Sequence, residues 1–297
     1  MRFFMLFVAL AALGSICFAR QRFGPMSRAD AVRLIYNPGN AVRERNPEER
    51  IRILMMSDED LVLAARGEPE PALKEARGRN RPSVLQAFIN ALDTAPEQML
   101  TFYAIGGIEG LHKRHPESPA GETLVGLLKH PRLAVRAAAA NTLARRDHKS
   151  ADIPANQVAY LKAGEEPGLL IMTGRSLLST TTKRYPDLIR QAKLRASRGP
   201  RARYNDVEFD FLLAEHTDPE AVNKVRKWAL DGSDPHRRLI ALQVMCRSRG
   251  VKELALAEKN LTGRGDLRTV AMHWVFYYGK KSSIAKLRAS AKDPKQN

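Results

Sequence analysis

The run from His130 to Asp147, His-Pro-Arg-Leu-Ala-Val-Arg-Ala-Ala-Ala-Ala-Asn-Thr-Leu-Ala-Arg-Arg-Asp, constrains the fold more than any other part of the chain. Alanine is the strongest helix former, proline is tolerated in a helix's first turn, and arginine suits the last turn, where the helix dipole is negative. The run therefore predicts a helix. Val135, Ala139, Ala140 and Leu143 fall at i, i+4, i+5 and i+8, on one face of it. Alanines on that face let a second helix approach closely, so the face suits helix stacking.

The same frame returns twice. It reads Arg237-Arg238-x-x-Ala241-Leu242-x-Val244-Met245 and then Leu267-Arg268-x-x-Ala271-Met272-x-Trp274-Val275, each after a turn carrying an aspartate, Asp234 or Asp266. Self-similarity of this kind marks repeat architectures. The frame resembles the second helix of a HEAT repeat, in which a helix pair turns at Asp-Pro and the next helix opens with a hydrophobic residue and arginine. Arg136, Arg238 and Arg268 lie 102 and 30 residues apart. Repeats of roughly 30 to 45 residues would fill those gaps with about three helix pairs and then one. The resemblance implies an all-α chain, an α-solenoid of stacked HEAT-like helix pairs. Val135, Arg136, Ala139, Leu143, Arg238, Ala241, Arg268 and Ala271 would then be the residues that pack one repeat on the next.

A chain of 297 residues with 44% hydrophobic content is long enough for two globular domains. In a stack where each pair packs only on its neighbours, however, length counts repeats and not domains. Aromatics make up 6% and no alternating Val/Ile/Tyr runs occur, which argues against a substantial β-sheet.

The first nineteen residues, MRFFMLFVALAALGSICFA, place Arg2 before an apolar run that ends in small residues at the positions a signal peptidase prefers. The pattern predicts a signal peptide over 1–19 and an exported chain, periplasmic or secreted. An uncleaved membrane anchor and a lipoprotein signal at Cys17 are the alternatives. Cleavage would leave Cys246 as the only cysteine, mid-helix between Met245 and Arg247, where a buried structural thiol is expected.

Residues 20–80 show no repeat frame and read as an atypical N-terminal helical cap. Ser27-x-x-Asp30 and Ser57-x-x-Asp60 are capping-box-like helix starts, separated by the turn-forming Asn37-Pro38-Gly39-Asn40. The repeats are expected over 81–292, with a short polar tail at 293–297. Helices are expected near Ile153 to Ala163, Gly168 to Ser179, Pro186 to Ser197 and Asp206 to His216, and again around Ala221 to Ala229, Leu254 to Leu256 and Ile284 to Ala291.

No constellation for catalysis, cofactor binding or metal binding is recognisable. Gly106-Gly107-Ile108-Glu109-Gly110 lacks the Gly-Lys-Ser/Thr ending of a phosphate loop, and no strand precedes it, so close helix packing explains the glycines. His112 and His115 lack the i, i+4 spacing of a helical zinc pair. Asp206, Glu208 and Asp210 alternate as in a calcium loop, but Phe211 and Thr217 stand where that loop needs glycine and an acid. The aromatic cluster of residues 273–278 is either a binding platform or a plug on the last repeat, and Trp274, Val275 and Tyr278 share a face, which favours the plug.

Lys and Arg number 49 against 32 Asp and Glu, a formal charge of +17. A field of that size attracts polyanions without choosing among them. The densest basic segment holds Lys183, Arg184, Arg190, Lys193, Arg195, Arg198, Arg201 and Arg203 against the single acid Asp187, and it is the expected anion- or partner-binding surface. These features point to a non-catalytic exported scaffold that binds another protein or an acidic envelope component, lipid head groups or glycan, of a bacterium. HEAT-like DNA glycosylases and HEAT-like chromophore lyases are the alternatives by resemblance. The export signal argues against nucleic acid as the partner.

Overall fold

The computed structural model describes residues 25–36, 46–65, 69–79, 81–197, 202–231, 233–263 and 265–291. The signal pattern of residues 1–19, the Asn37–Asn40 turn and the polar tail lie outside them. Among the described residues the chain is all-α and carries no strand. None of the described helices is long and apolar enough to cross a membrane. The chain divides into two compact units, Met1–Asn156 and Gln157–Asn297, so the division falls within one helix and not at the 80/81 boundary between expected cap and repeats.

The first unit opens with α1 (Arg28–Tyr36), α2 (Pro47–Met55), α3 (Asp58–Ala64) and α4 (Pro69–Gly78). Ser27 and Ser57 accept from the backbone N–H of Asp30 and Asp60, at 3.2 and 3.0 Å, and each hydroxyl donates back to the aspartate at 2.7 Å, so both serines cap their helices, with the aspartate bonding the hydroxyl and not the serine N–H of a full capping box. The start of α2 was not foreseen. Asn46 uses the same device, accepting from Glu49 N–H at 3.3 Å and donating to its carboxylate at 3.0 Å. The Asn-Pro-x-Glu signal was present in the sequence and its asparagine went unread as a cap.

Beneath these helices lies Arg79, fully buried. Its guanidinium reaches Asp58 at 3.0 Å and Glu75 at 3.4 Å, and it donates to the carbonyls of Met56 (2.7 Å), Leu54 (3.1 Å) and Ile53 (3.4 Å). A buried cation thus closes the C-terminus of α2, whose last carbonyls have no intrahelical partner.

The unit continues with α5 (Pro82–Thr94), α6 (Glu97–Met99), a π-helical turn at Leu100–Ala104, α7 (Ile105–Arg114), α8 (Ala120–Gly126) and α9 (Leu133–Ala144). The glycines of α7 sit where neighbours come too close for a side chain. A Cβ on Gly107 would lie 2.2 Å from the Phe88 ring, and one on Gly110 would lie 2.4 Å from the Arg77 side chain. Close packing, not a phosphate loop, accounts for them. His112 and His115, near the end of α7, are half-buried.

The helix that anchors the sequence argument, α9, begins at Leu133. Pro131 stands just outside it, because Arg132 is extended at ψ 119° and supplies the cap position. Val135, Ala139 and Leu143 are buried, but so are Ala134, Ala137, Ala138 and Ala144, so the helix is covered nearly all round and not on one face alone. The helix ends in a Schellman turn: His148 N–H reaches Leu143 O and Asp147 N–H reaches Ala144 O, with Asp147 left-handed at φ 53°.

The helix α10 (Asp152–Ala163) spans the division, and the second unit continues with α11 (Pro167–Thr180), α12 (Pro186–Ala196), α13 (Ala202–Glu215), α14 (Pro219–Asp231), α15 (Pro235–Arg249), α16 (Leu254–Lys259), α17 (Gly265–Tyr278) and α18 (Lys281–Ala291). From α11 onward each helix packs on the next along the chain. Alternate helices also touch: α13 lies against both α11 and α15, and α15 against both α13 and α17. Ala241 and Ala271 are fully buried between such neighbours.

Arg136, Arg238 and Arg268 are each the fourth residue of their helix. Arg136 donates to the Asn156 side chain at 3.0 Å, Arg238 to the Asn260 side chain at 2.8 Å and Arg268 to Ser290 Oγ at 3.2 Å, with separations of 20, 22 and 22 residues. Each arginine also grips main chain: His130 O and Pro131 O, Ala229 O, and Ser290 O in turn. The partner polar residue then satisfies a further carbonyl, Leu128 O for Asn156, Leu256 O for Asn260 and Leu261 O for Ser290. The partners are neutral, so the frame is held by hydrogen bonds to one charged group and not by ion pairs.

Candidate functional site: the basic segment and its surroundings

The basic segment begins in the link before α12 and runs through that helix. Arg198 and Arg201 lie outside the described residues, as does the Arg203 side chain. The other five cations meet different fates. Arg190 pairs with Asp187 and with Asp218. Lys193 Nζ lies 2.7 Å from Asp210 Oδ1, and Lys224 of α14 comes to the other oxygen at 2.6 Å. Arg195 donates to Gly164 O at 3.2 Å and also to Leu161 O, closing the C-terminal end of α10.

An acidic surface does lie opposite the segment, and it belongs to the chain itself. Asp210 and Asp218 are buried, and both stand on or just after α13. Asp218 also caps α14, accepting from Ala221 N–H at 2.9 Å. These carboxylates offset the like-charge repulsion among Arg190, Lys193 and their neighbours from within the chain. The Asp206, Glu208, Asp210 alternation that imitates a calcium loop is thus part of an internal ion-pair set, with Glu208 held by Arg175 at 2.7 Å. Among the described residues no group of acids, histidines and cysteines is arranged to hold a metal.

Lys183 and Arg184 remain exposed. Lys183 lies 5.2 Å over the Tyr185 ring, and Arg184 donates to Thr182 O at 3.3 Å, both weak local restraints. The segment's capacity for an outside anion is therefore concentrated, among the described side chains, at its N-terminal end. That end is held firmly. Tyr185 N–H donates to Nδ1 of the buried His216 at 3.2 Å, while His216 Nε2 lies 3.0 Å from Gly174 O, so Nε2 carries the proton. Burial, together with the nearby Arg184, holds this imidazole below its ordinary pKa and keeps it neutral.

Beside the segment, Arg190, Lys193, Leu194, Asp210, Asp218 and Lys224 line a cavity of about 280 Å³. A second cavity of about 640 Å³ is lined by Asp206, Glu208, Asp210, Trp228, Asp234 and Arg237, among others. The Trp228 ring there already carries two cations of the chain, Lys224 at 5.3 Å and Arg237 at 5.4 Å.

Cys246 is buried in α15, and desolvation pushes its thiol up to about 12, far from a reactive thiolate. The aromatic cluster divides: Val275 is buried and Trp274 half-buried, but Phe276, Tyr277 and Tyr278 are exposed. The plug reading therefore holds for the buried half of the cluster alone.

Sequence reasoning missed the acids that face the segment. The Asp218-Pro219 helix start was visible, but that its carboxylate would reach Arg190, 28 residues earlier, depends on how α12 and α14 pack. Comparison with protein-family models, with curated proteins and with solved structures gives no match for this chain.

Proposed function

We propose that the chain is an exported, non-catalytic scaffold whose HEAT-like helix pairs stack as a solenoid and bind another protein or an acidic envelope component through a basic surface. The observation that carries this reading is the repeated arginine clamp, Arg136 to Asn156, Arg238 to Asn260 and Arg268 to Ser290. Three clamps of the same chemistry at near-constant separation are what a recurring structural unit produces, and units of this kind present extended surfaces to partners. Lys183 and Arg184 supply exposed charge on such a surface.

The test is cross-linking of the tagged full chain in its own envelope, compared with a Lys183→Gln/Arg184→Gln variant. A partner or acidic polymer retained at low salt by the parent, and lost from the variant or at high salt, supports the reading. Recovery of the unprocessed chain from the cytoplasm overturns the exported role, and retention unchanged by the variant and by salt overturns the basic surface.

A further inference from the structure

The end of the second unit exposes its aromatics. Phe276, Tyr277 and Tyr278 close α17 at 72, 65 and 43% exposure, and Ile284 in the first turns of α18 is 44% exposed. Apolar side chains gathered in this way are unusual on a surface and mark an interaction site. Their electrostatic setting is one-sided. From Leu267 to Ala291 the chain carries Arg268, Lys280, Lys281, Lys286 and Arg288 and no carboxylate. Arg268 is buried in its clamp, and Lys286 is matched by Glu258 at 2.6 Å. Lys280, Lys281 and Arg288 are exposed and enter no ion pair among the described residues.

We propose that this corner, where α17 meets α18, docks on the surface of an anionic lipid bilayer. Phe276 and Ile284 would enter the acyl boundary, the tyrosines would sit at head-group depth, and Lys280, Lys281 and Arg288 would meet the lipid phosphates. Aromatic and aliphatic side chains flanked by lysine and arginine are the composition that binds a membrane interface, the apolar part by burial and the cations by attraction to anionic lipid.

The ring geometry selects lipid over a single-stranded nucleic acid. Base stacking needs free aromatic faces. Here His273 lies against Tyr277 with centroids 4.6 Å apart, Tyr277 meets Phe276 at 5.5 Å and 90°, and Tyr278 lies on Trp274 at 4.8 Å. The tyrosine rings are partly covered by these neighbours, while Phe276, at 72% exposure, offers apolar area. Ile284 has no face to stack at all. The inference rests on the reading of the chain as a binding protein, but on a different surface from Lys183 and Arg184.

Trp228→Phe leaves Trp274 as the only tryptophan of the full chain. Its fluorescence is followed with vesicles of brominated phosphatidylglycerol and of brominated phosphatidylcholine, with thermal melting of every variant as a control for folding. The expected result is quenching by the anionic vesicles and not the zwitterionic ones, reversed by high salt. Phe276→Ser/Tyr277→Ser should lower partitioning at least tenfold, and Lys280→Gln, Lys281→Gln and Arg288→Gln should each lower it about fivefold. Lys183→Gln/Arg184→Gln should leave the quenching unchanged.

Four results overturn the proposal: no quenching by phosphatidylglycerol, equal quenching by phosphatidylcholine, loss of quenching in the Lys183/Arg184 variant, or a dimer of the parent chain dispersed by Phe276→Ser/Tyr277→Ser. The third leaves the basic-segment reading standing, and the fourth makes the corner a self-interface.

Discussion

Replacing Arg79 by Met should destabilise the first unit by about 3 kcal/mol. Removing one member of a buried ion-pair set costs roughly 3 to 5 kcal/mol when the remaining charge is left uncompensated. The low end of that range applies, because both carboxylates keep a second cation: Asp58 has Arg81 at 3.4 Å, and Glu75 has Arg50 at 2.9 Å. Of the three carbonyls that Arg79 satisfies, Leu54 O also accepts from Met26 N–H and Ile53 O from Met56 N–H, so Met56 O is the one left without its short donor. The orphaned carbonyl supplies roughly 1 to 3 kcal/mol of that total, the second cations having reduced the share owed to the charges. For a unit of this size about 3 kcal/mol corresponds to a melting shift of roughly 6 to 12 °C. Urea unfolding followed by circular dichroism, with amide exchange of α2 and α3 to locate the loss, measures it. Adding Asp58→Asn and Glu75→Gln should then recover at least about 1 kcal/mol, since both buried carboxylates are gone and the part-exposed Arg50 and Arg81 can turn to solvent. A single variant within 1 kcal/mol of the parent refutes the reasoning, as does a triple variant less stable than the single one.

Ala139→Leu and Ala241→Leu, both at fully buried sites, should each cost roughly 1 to 3 kcal/mol by overpacking, and melting curves identical to the parent's would refute tight packing there. His216 is held below its unfolded value near 6.5 by burial, so its contribution is intact above about pH 6.5 and is lost as pH falls through the folded value. Urea midpoints at pH 7 and pH 5 should therefore differ more for the parent than for His216→Gln, and equal differences count against the role given to burial. Thr217 sits in the left-handed region at φ 64° in the Schellman turn after α13, where a β-branched residue is strained, and Thr217→Gly should raise stability by about 1 kcal/mol in the same urea assay.

Helix identity was legible because periodicity and punctuation agreed. Glu165-Glu166-Pro167, Tyr185-Pro186 and Asp234-Pro235 each stop one helix and start the next, and α11, α12 and α15 begin at those prolines. The failures have a common physical cause. Asn46 as a cap, Asp218 as the partner of Arg190, and Asn156, Asn260 and Ser290 as clamp residues are all short polar side chains whose roles depend on which carbonyl or guanidinium packing brings to them. Periodicity reports the apolar face of a helix and says nothing of where its polar ends meet another element. Lys193 and Arg195 show the limit well. On the sequence they are neighbours in one basic run, yet one pairs with Asp210 and the other caps α10, so changing Arg195 to Gln perturbs the fold as well as the charge.

A net charge of +17 invites a polyanion, but much of the arginine here serves the ends of the chain's own helices. Arg132 donates to Leu92 O and Ala95 O at the close of α5, both at 2.8 Å, Arg195 does the same for α10, and Arg79 does so for α2. Helix C-termini carry unpaired carbonyls and partial negative charge, so a guanidinium with five donors satisfies several at once where a carboxylate could satisfy none. A chain of many short helices has many such ends. Excess arginine is thus a consequence of the architecture before it is a sign of any ligand, and total charge is a poor guide to the binding surface. The informative cations are those that find neither a carboxylate nor a carbonyl within the fold. By that criterion Lys280, Lys281 and Arg288, beside exposed aromatics, are among the described cations left for an outside partner, as is Lys183 at the start of the densest basic run.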